Sequence, residues 1–167
     1  MKQFAASLVL LLPLAAFSAE IPDSKFYRDA AEGGMAEVAM GKLAQQKAQS
    51  PSVKDYGAQM VNDHAAANEK LKALAQAKNI TLPANPSVAE MEAKSKLEAL
   101  SGQSFDKSYI KGMIQDHEQD IAEFKKEAAS GQDPDARAFA SATLPTMEAH
   151  LKKIQAIAVS AGVSVGG

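Results

Sequence analysis

The sequence predicts an all-α protein arranged as a four-helix bundle, and three observations carry that expectation. Ala, Lys, Glu, Gln, Leu and Met dominate the chain, and these residues lose least on entering a helix. Aromatic residues make up only 5% and Trp is absent, and no stretch alternates β-branched residues as a half-buried strand does. Four long segments instead repeat apolar residues every three or four positions, the mark of a helix that buries one side.

The first element is a secretory signal peptide over 1–19. Lys2 precedes an apolar run from Phe4 to Phe17, and the small residues of Ala15-Ala16-Phe17-Ser18-Ala19 close it. The run is short for a membrane span, and cleavage is expected after Ser18 or Ala19. No Cys follows, so no lipid can be attached to a thiol. The remainder, 20–167, has the size of one domain. It is expected to be periplasmic or otherwise exported, with outer-membrane association as an option and no transmembrane segment after signal removal.

Helix one is predicted from Asp23 or Ser24, either of which suits an N-cap, to Ala48. Its stripe holds Phe26, Ala30, Gly33, Glu37, Met40 and Ala44. Gly33-Gly34 costs roughly 1 kcal/mol per residue against Ala in a helix interior, so the pair is read as a close packing point or a bend. Ser50 as N-cap and Pro51 at the first helical position start helix two, which runs to about Lys78. Its stripe is Val53, Gly57, Met60, His64, Ala67, Leu71 and Leu74.

From Asn79 to Ser104 the texture changes, with Pro83 and Pro86 followed by a short helical stretch from Val88 to Leu100 that Gly102 is expected to stop. A hairpin needs only a few residues, so this segment reads as a crossover along the bundle, which leaves helices two and three parallel. Helix three is predicted over Phe105 to Ser130, with Tyr109 or Ile110, Met113, His117, Ile121 or Asp120, Phe124 and Ala128 facing inward. Gly131 to Asp135 makes the next turn, and helix four runs to about Ala161 through Phe139 or Ala140, Thr143, Met147, His150, Ile154 and Ile157. Pro145 should kink that helix or loosen its local hydrogen bonding, and the tail from Gly162 to Gly167 is expected to fray.

The chain has no Cys, which rules out disulfides and thiolate metal sites. Its 18 basic and 20 acidic residues are interspersed, for a formal net charge of −2, and nothing in that balance suits nucleic acid. The exposed Lys-Glu faces read as solvated surface. An envelope protein partner and self-association both stay open.

The three histidines of the chain each fall on the apolar stripe of a different helix, and Glu37 takes the same place on the remaining one. In an antiparallel hairpin, residues equally distant from the turn stand at one height. Glu37 and His64 are equidistant from Ser50-Pro51, and His117 and His150 from Asp133-Pro134. His64 also lies about as far into helix two as His117 into helix three. Four such side chains can converge on one ion at about 2 Å each.

Imidazole and carboxylate are ordinary transition-metal ligands, whereas unpartnered polar groups are costly in a core. The candidate ligands are therefore Glu37, His64, His117 and His150, with Asp120 in reserve because it lies one turn from His117. A hydrogen-bonded cluster without metal is the alternative. Asp63, Asp116 and Glu148, adjacent or nearly adjacent to the histidines, could orient imidazoles but are expected to face solvent.

The chain resembles domain-of-unknown-function family 4142, exported bacterial proteins of ferritin-like fold. The matching residues are Ala36-Glu37-Val38 with Gly41-Lys42-Leu43-Ala44, Met60-Val61-Asn62-Asp63-His64 with Asn68 and Leu71, Phe105-Asp106 with Tyr109, His117, Phe124 and Glu127-Ala128, and Thr143-Leu144-Pro145 with His150. The resemblance implies a ferritin-like four-helix bundle with a long second connection and an envelope location. It brings no established activity.

The ferritin-like di-iron pattern places Glu-x-x-His on two helices. Val61 and Met147 occupy the Glu positions here, so a di-iron oxidase or an iron store is disfavoured. A single zinc, iron, manganese or copper ion suits the donor set. Two functions follow as expectations: a periplasmic metal-binding bundle, structural or weakly redox-active, and a metal-free envelope stress or interaction protein whose His/Glu cluster is structural. Whether the protein is an enzyme stays open. A hydrolase is the least favoured, since no Cys nucleophile exists and no Ser sits in an elbow motif.

Overall fold

The computed structural model describes residues 21–164, and the expected signal peptide lies outside them. Five helices follow in order: α1 (Ser24–Lys47), α2 (Pro51–Ala77), α3 (Val88–Glu98), α4 (Gly102–Ser130) and α5 (Pro134–Ser160). There is no strand among the described residues. α1, α2, α4 and α5 form the bundle, with α1 packed on α2 and α4 on α5, and the short α3 lies across α1 and α4.

The apolar stripes meet in two clusters. One gathers the carboxyl end of α1, the amino ends of α2 and α4 and the carboxyl end of α5, around Leu43, Val53, Tyr56, Phe105, Tyr109, Ile110 and Ile154. The other gathers the opposite ends, around Tyr27, Leu71, Ile121, Phe124 and Phe139. Since α2 and α4 both start in the first cluster and end in the second, they run parallel, as the long crossover predicts. The crossover begins at Ile80 in one cluster and reaches Leu97 in the other.

Glycine sets how closely α1 and α2 approach. A Cβ on Gly41 would stand 2.6 Å from the carbonyl oxygen of Gly57, and one on Gly57 would stand 2.7 Å from that of Gly41. A Cβ on Gly34 would overlap the side chain of Asn68 on α2. The Gly33-Gly34 pair thus splits its duties: Gly34 serves helix contact, and Gly33 faces the carboxylates of Glu90 and Asp120.

Several helix ends differ from expectation. Asp23 has a left-handed backbone, with φ 57, and does not cap α1; its carboxylate accepts the backbone N–H of Asp133 at 2.6 Å, tying α1 to the α4–α5 turn. Ser50 precedes Pro51 as predicted, yet its hydroxyl caps nothing. Asp106 of α4 accepts the N–H groups of Gln49 and Ser50 at 3.0 and 2.8 Å, fastening that turn to the bundle.

Gly102 does not stop α3, which ends at Glu98. It opens α4 instead, with φ 57. The tail is not frayed at Gly162 and Val163: Gly162 takes φ 62, Val163 N–H donates to the Ala158 carbonyl at 2.9 Å, and the Val163 side chain returns to the core. This is the left-handed helix stop that glycine favours; Val165 to Gly167 lie outside the described residues. α5 continues through Pro145, although the ring offers no N–H to the carbonyl of Ser141.

Candidate metal centre

A polar layer divides the two apolar clusters. Glu37, His64, His117 and His150, one from each long helix, are all buried, and His117 and His150 are 0% exposed. The level pairing read from the turns is therefore found in space: Glu37 Oε2 is 2.7 Å from His64 Nδ1, and His117 Nε2 is 3.4 Å from His150 Nδ1. One nitrogen from each of His64, His117 and His150 lies within 4.8 Å of those of the other two.

The outer partners of the rings assign their protons. His64 Nδ1–H faces the Glu37 carboxylate at 2.7 Å. His117 Nδ1–H donates to the Met113 carbonyl one turn back at 2.9 Å. His150 Nε2–H donates to Asp63 Oδ2 at 2.8 Å. A neutral imidazole has a single N–H, so His117 Nε2 and His150 Nδ1 carry lone pairs, and His64 Nε2 is buried with no hydrogen-bond partner among the described residues.

Burial keeps the rings neutral. His64 is lowered to about 4 by desolvation, against the opposing charge of Asp63. His117 and His150 are lowered by the same cause, opposed by Glu37 and Asp63 respectively. Desolvation pushes Glu37 up to about 7, with His117 working against it. Neutral imidazoles with outward N–H groups are in the form that binds transition metals, and the outward partners fix the tautomer.

Five buried side-chain polar atoms lack a hydrogen-bond partner among the described residues. Glu37 Oε1 and His64 Nε2 belong to the polar layer itself. The hydroxyls of Tyr56 and Tyr109 belong to rings beside it, Tyr56 standing 6.5 and 6.3 Å, centre to centre, from His117 and His150. Only Glu127 Oε1 lies at another end of the bundle. Orphaned polar atoms are rare in native cores, and here they gather at one place.

The predicted ligands do not all hold the same position. The three imidazoles converge; Glu37 lies against the ring nitrogens, at 2.7 Å from His64 Nδ1 and 3.4 Å from His117 Nδ1. Asp120 is half-buried and lines a cavity with Glu37; burial and the charges of Glu37 and Asp116 push its carboxyl up to about 8. Asp63 was expected to face solvent, and its side chain is 37% exposed, but it also orients an imidazole. The imidazole is His150 across the bundle, not its neighbour His64. Glu148 faces outward and pairs with Lys125 at 2.8 Å.

Sequence reasoning passed over Tyr56, although Tyr56 and Tyr109 stand at one identical spacing before His64 and His117. That shared spacing on two parallel helices was the available signal. A buried methionine also stands about one turn before each histidine: Met60, Met113 and Met147.

Bundle and polar layer together define a ferritin-like four-helix protein with a buried three-histidine centre. The chain belongs to the family described as domain of unknown function DUF4142, whose model matches residues 13–157. Among solved structures it is similar to a putative secreted DUF305 protein from Streptomyces coelicolor, at 14% identity and a TM-score of 0.73, covering 87% of this chain and 96% of that one. It is also similar to CopM in the Cu(I)-bound form, at 15% identity and TM-score 0.69, covering 84% and 98%. The Ag-bound form of CopM obtained by co-crystallisation gives 17% identity and TM-score 0.68, over 84% and 98%. No curated protein sequence matches the chain. No described helix is long and apolar enough to cross a membrane.

Proposed function

We propose that the protein is an exported, periplasmic metal-binding bundle that holds one transition-metal ion, copper foremost, on His64, His117 and His150. The observation that carries this reading is the convergence of the three buried imidazoles, each with a ring nitrogen within 4.8 Å of one on the other two. With the His117 and His150 ring protons donated outward, none is left to bridge His117 Nε2 and His150 Nδ1 at 3.4 Å; a shared cation relieves that opposition. Glu37 and Asp63 hold rings from behind, and Glu37 is near enough to add its charge to the centre.

Copper heads the choice for two reasons. Nitrogen donors bind it most tightly among the divalent first-row ions, and thioethers suit its reduced form, which fits a buried Met about one turn before each histidine. CopM, solved with Cu(I), Cu(II) and Ag bound, shares the fold and lends support to the same choice. Zinc, iron and manganese remain alternatives that the donor set accepts.

The test is metal analysis of tag-free protein isolated from its native compartment, paired with thermal melting before and after chelation. One metal ion per chain and a lower melting temperature after chelation are expected. Free metal at a hundred times Kd stabilises by about 2.7 kcal/mol. Substoichiometric metal with unchanged melting would overturn the proposal. It would favour the second reading, a metal-free envelope protein whose cluster sets core register, which the satisfied outward N–H groups support. In that case His64→Ala and His117→Ala lower stability and alter no metal content.

A further inference from the structure

The three imidazoles are enclosed unequally. Between α2 and α5 runs a cleft of about 200 Å³ whose lining includes His64, His150 and Met147. Its rim is exposed at Ala66 and Lys70 of α2 and at Ala142 and Thr146 of α5, and the small side chains of Ala66 and Ala142 leave the space between the two helices unfilled. The cleft therefore leads from water to the histidine layer. It stops just short of the rings, since His64 is 7% and His150 0% exposed. Two other cavities beside the layer do not offer this approach. One of about 310 Å³ between α1, α3 and α4 is lined by Glu37 but by no imidazole. One of about 30 Å³ is lined by Glu37 and His64, which is room for little more than a water molecule. His117 lines none of the three.

Asp63 belongs both to the cleft and to the layer. It lines the cleft, its side chain is 37% exposed, and its Oδ2 accepts from His150 Nε2 at 2.8 Å. A carboxylate so placed touches water on one side and a ring of the centre on the other, so it is the anionic group that an arriving cation meets. Lys70 is the other charged residue of the lining, and it stands exposed at the rim. Met147 is buried at the inner end, next to the histidines. An unbranched thioether side chain adapts its shape readily, so the inner end can open by side-chain movement while both helices keep their places.

We propose that the α2–α5 cleft is the port of the imidazole centre: the ion enters and leaves through it, and a small monodentate donor of a few heavy atoms, of the azide class, reaches the bound ion through it at the position that three imidazoles leave open. The inference rests on the metal reading given above and extends it. Four protein ligands close a metal site and make it structural, whereas three leave a place for an outside ligand. The cleft has room for a ligand of that size beside His64 and His150, so the centre exchanges its ion and does not merely brace the bundle.

Copper(II) is the ion and azide the probe. Copper loading is followed by stopped flow, and azide binding by the charge-transfer band it gives on copper(II). Wild type is expected to take one copper per chain and to bind azide. Ala142→Phe and Ala66→Phe, which fill the mouth of the cleft from one helix or the other, should slow loading and weaken azide binding roughly tenfold or more, with one copper still held at equilibrium. Ala122→Phe, at an exposed position of α4 outside the cleft, should match wild type in both. Circular dichroism checks that each variant keeps its helicity. Copper-loaded wild type without an azide band would overturn the port and leave the metal reading standing. So would loading rates or azide affinities that are unchanged in the cleft variants, or lowered as far in Ala122→Phe. Wild type that binds no copper would overturn both.

Discussion

A neutral imidazole has one proton to give and one lone pair to offer, so the partner behind each ring decides what the ring presents to the core. The Met113 carbonyl and Asp63 take the protons of His117 and His150, and Glu37 Oε2 stands 2.7 Å from His64 Nδ1. Removing one such partner leaves a buried N–H unpaired, at about 1–3 kcal/mol, while removing both members of a pair can be nearly neutral. Glu37→Leu is therefore expected to lower the unfolding free energy of metal-free protein by about 1–3 kcal/mol, and Glu37→Leu/His64→Leu to regain most of it; denaturant melts of the two variants check this.

Glu127, at the other end of the bundle, makes a pH prediction. Burial and the nearby Asp23 raise its carboxyl to about 7 from an ordinary 4.5. Between those values the unfolded chain loses its proton and the folded chain keeps it, so stability falls as pH rises through that window. Glu127→Gln removes the titration. The variant should match wild type near pH 4 and melt higher than wild type at pH 8, and equal melting at both pH values would refute the assignment.

The sequence told which residues share a level, because distance from a turn translates directly into height along a hairpin. It could not tell which nitrogen of a ring meets which oxygen. Glu37 therefore read as a ligand equal to the histidines, and the Asp63 to His150 contact, which depends on rotation of α2 against α5, was not legible.

Among the elements, the pair α1 and α2 depends on Gly41 and Gly57, whose backbones face each other with no room for a methyl group. Overpacking of this kind costs about 1–3 kcal/mol. Gly41→Ala should lower the melting temperature even though alanine favours the helix, whereas a helix-propensity effect alone would raise it. Helix cores were legible from their apolar period, and the crossover from a length no hairpin needs. Helix ends were less so, since a glycine marks either a stop, as Gly162 does, or the permissive start that Gly102 provides. Asp23 shows the same ambiguity: a cap residue by type, it bonds across the molecule instead.

At the scale of the whole molecule, two apolar clusters enclose one polar layer, and the parallel course of α2 and α4 puts His64 and His117 in it together. A bundle of this size could bury the same area with leucine in those places. Placing three neutral imidazoles there costs stability unless a cation repays it, which is why the metal reading outweighs a purely structural one. X-ray absorption at the metal edge of copper-loaded protein tests that claim most directly. Three imidazole scatterers per copper in wild type, reduced in His117→Ala, are the predicted result; a spectrum without imidazole scattering, or one unchanged by His117→Ala, would contradict it.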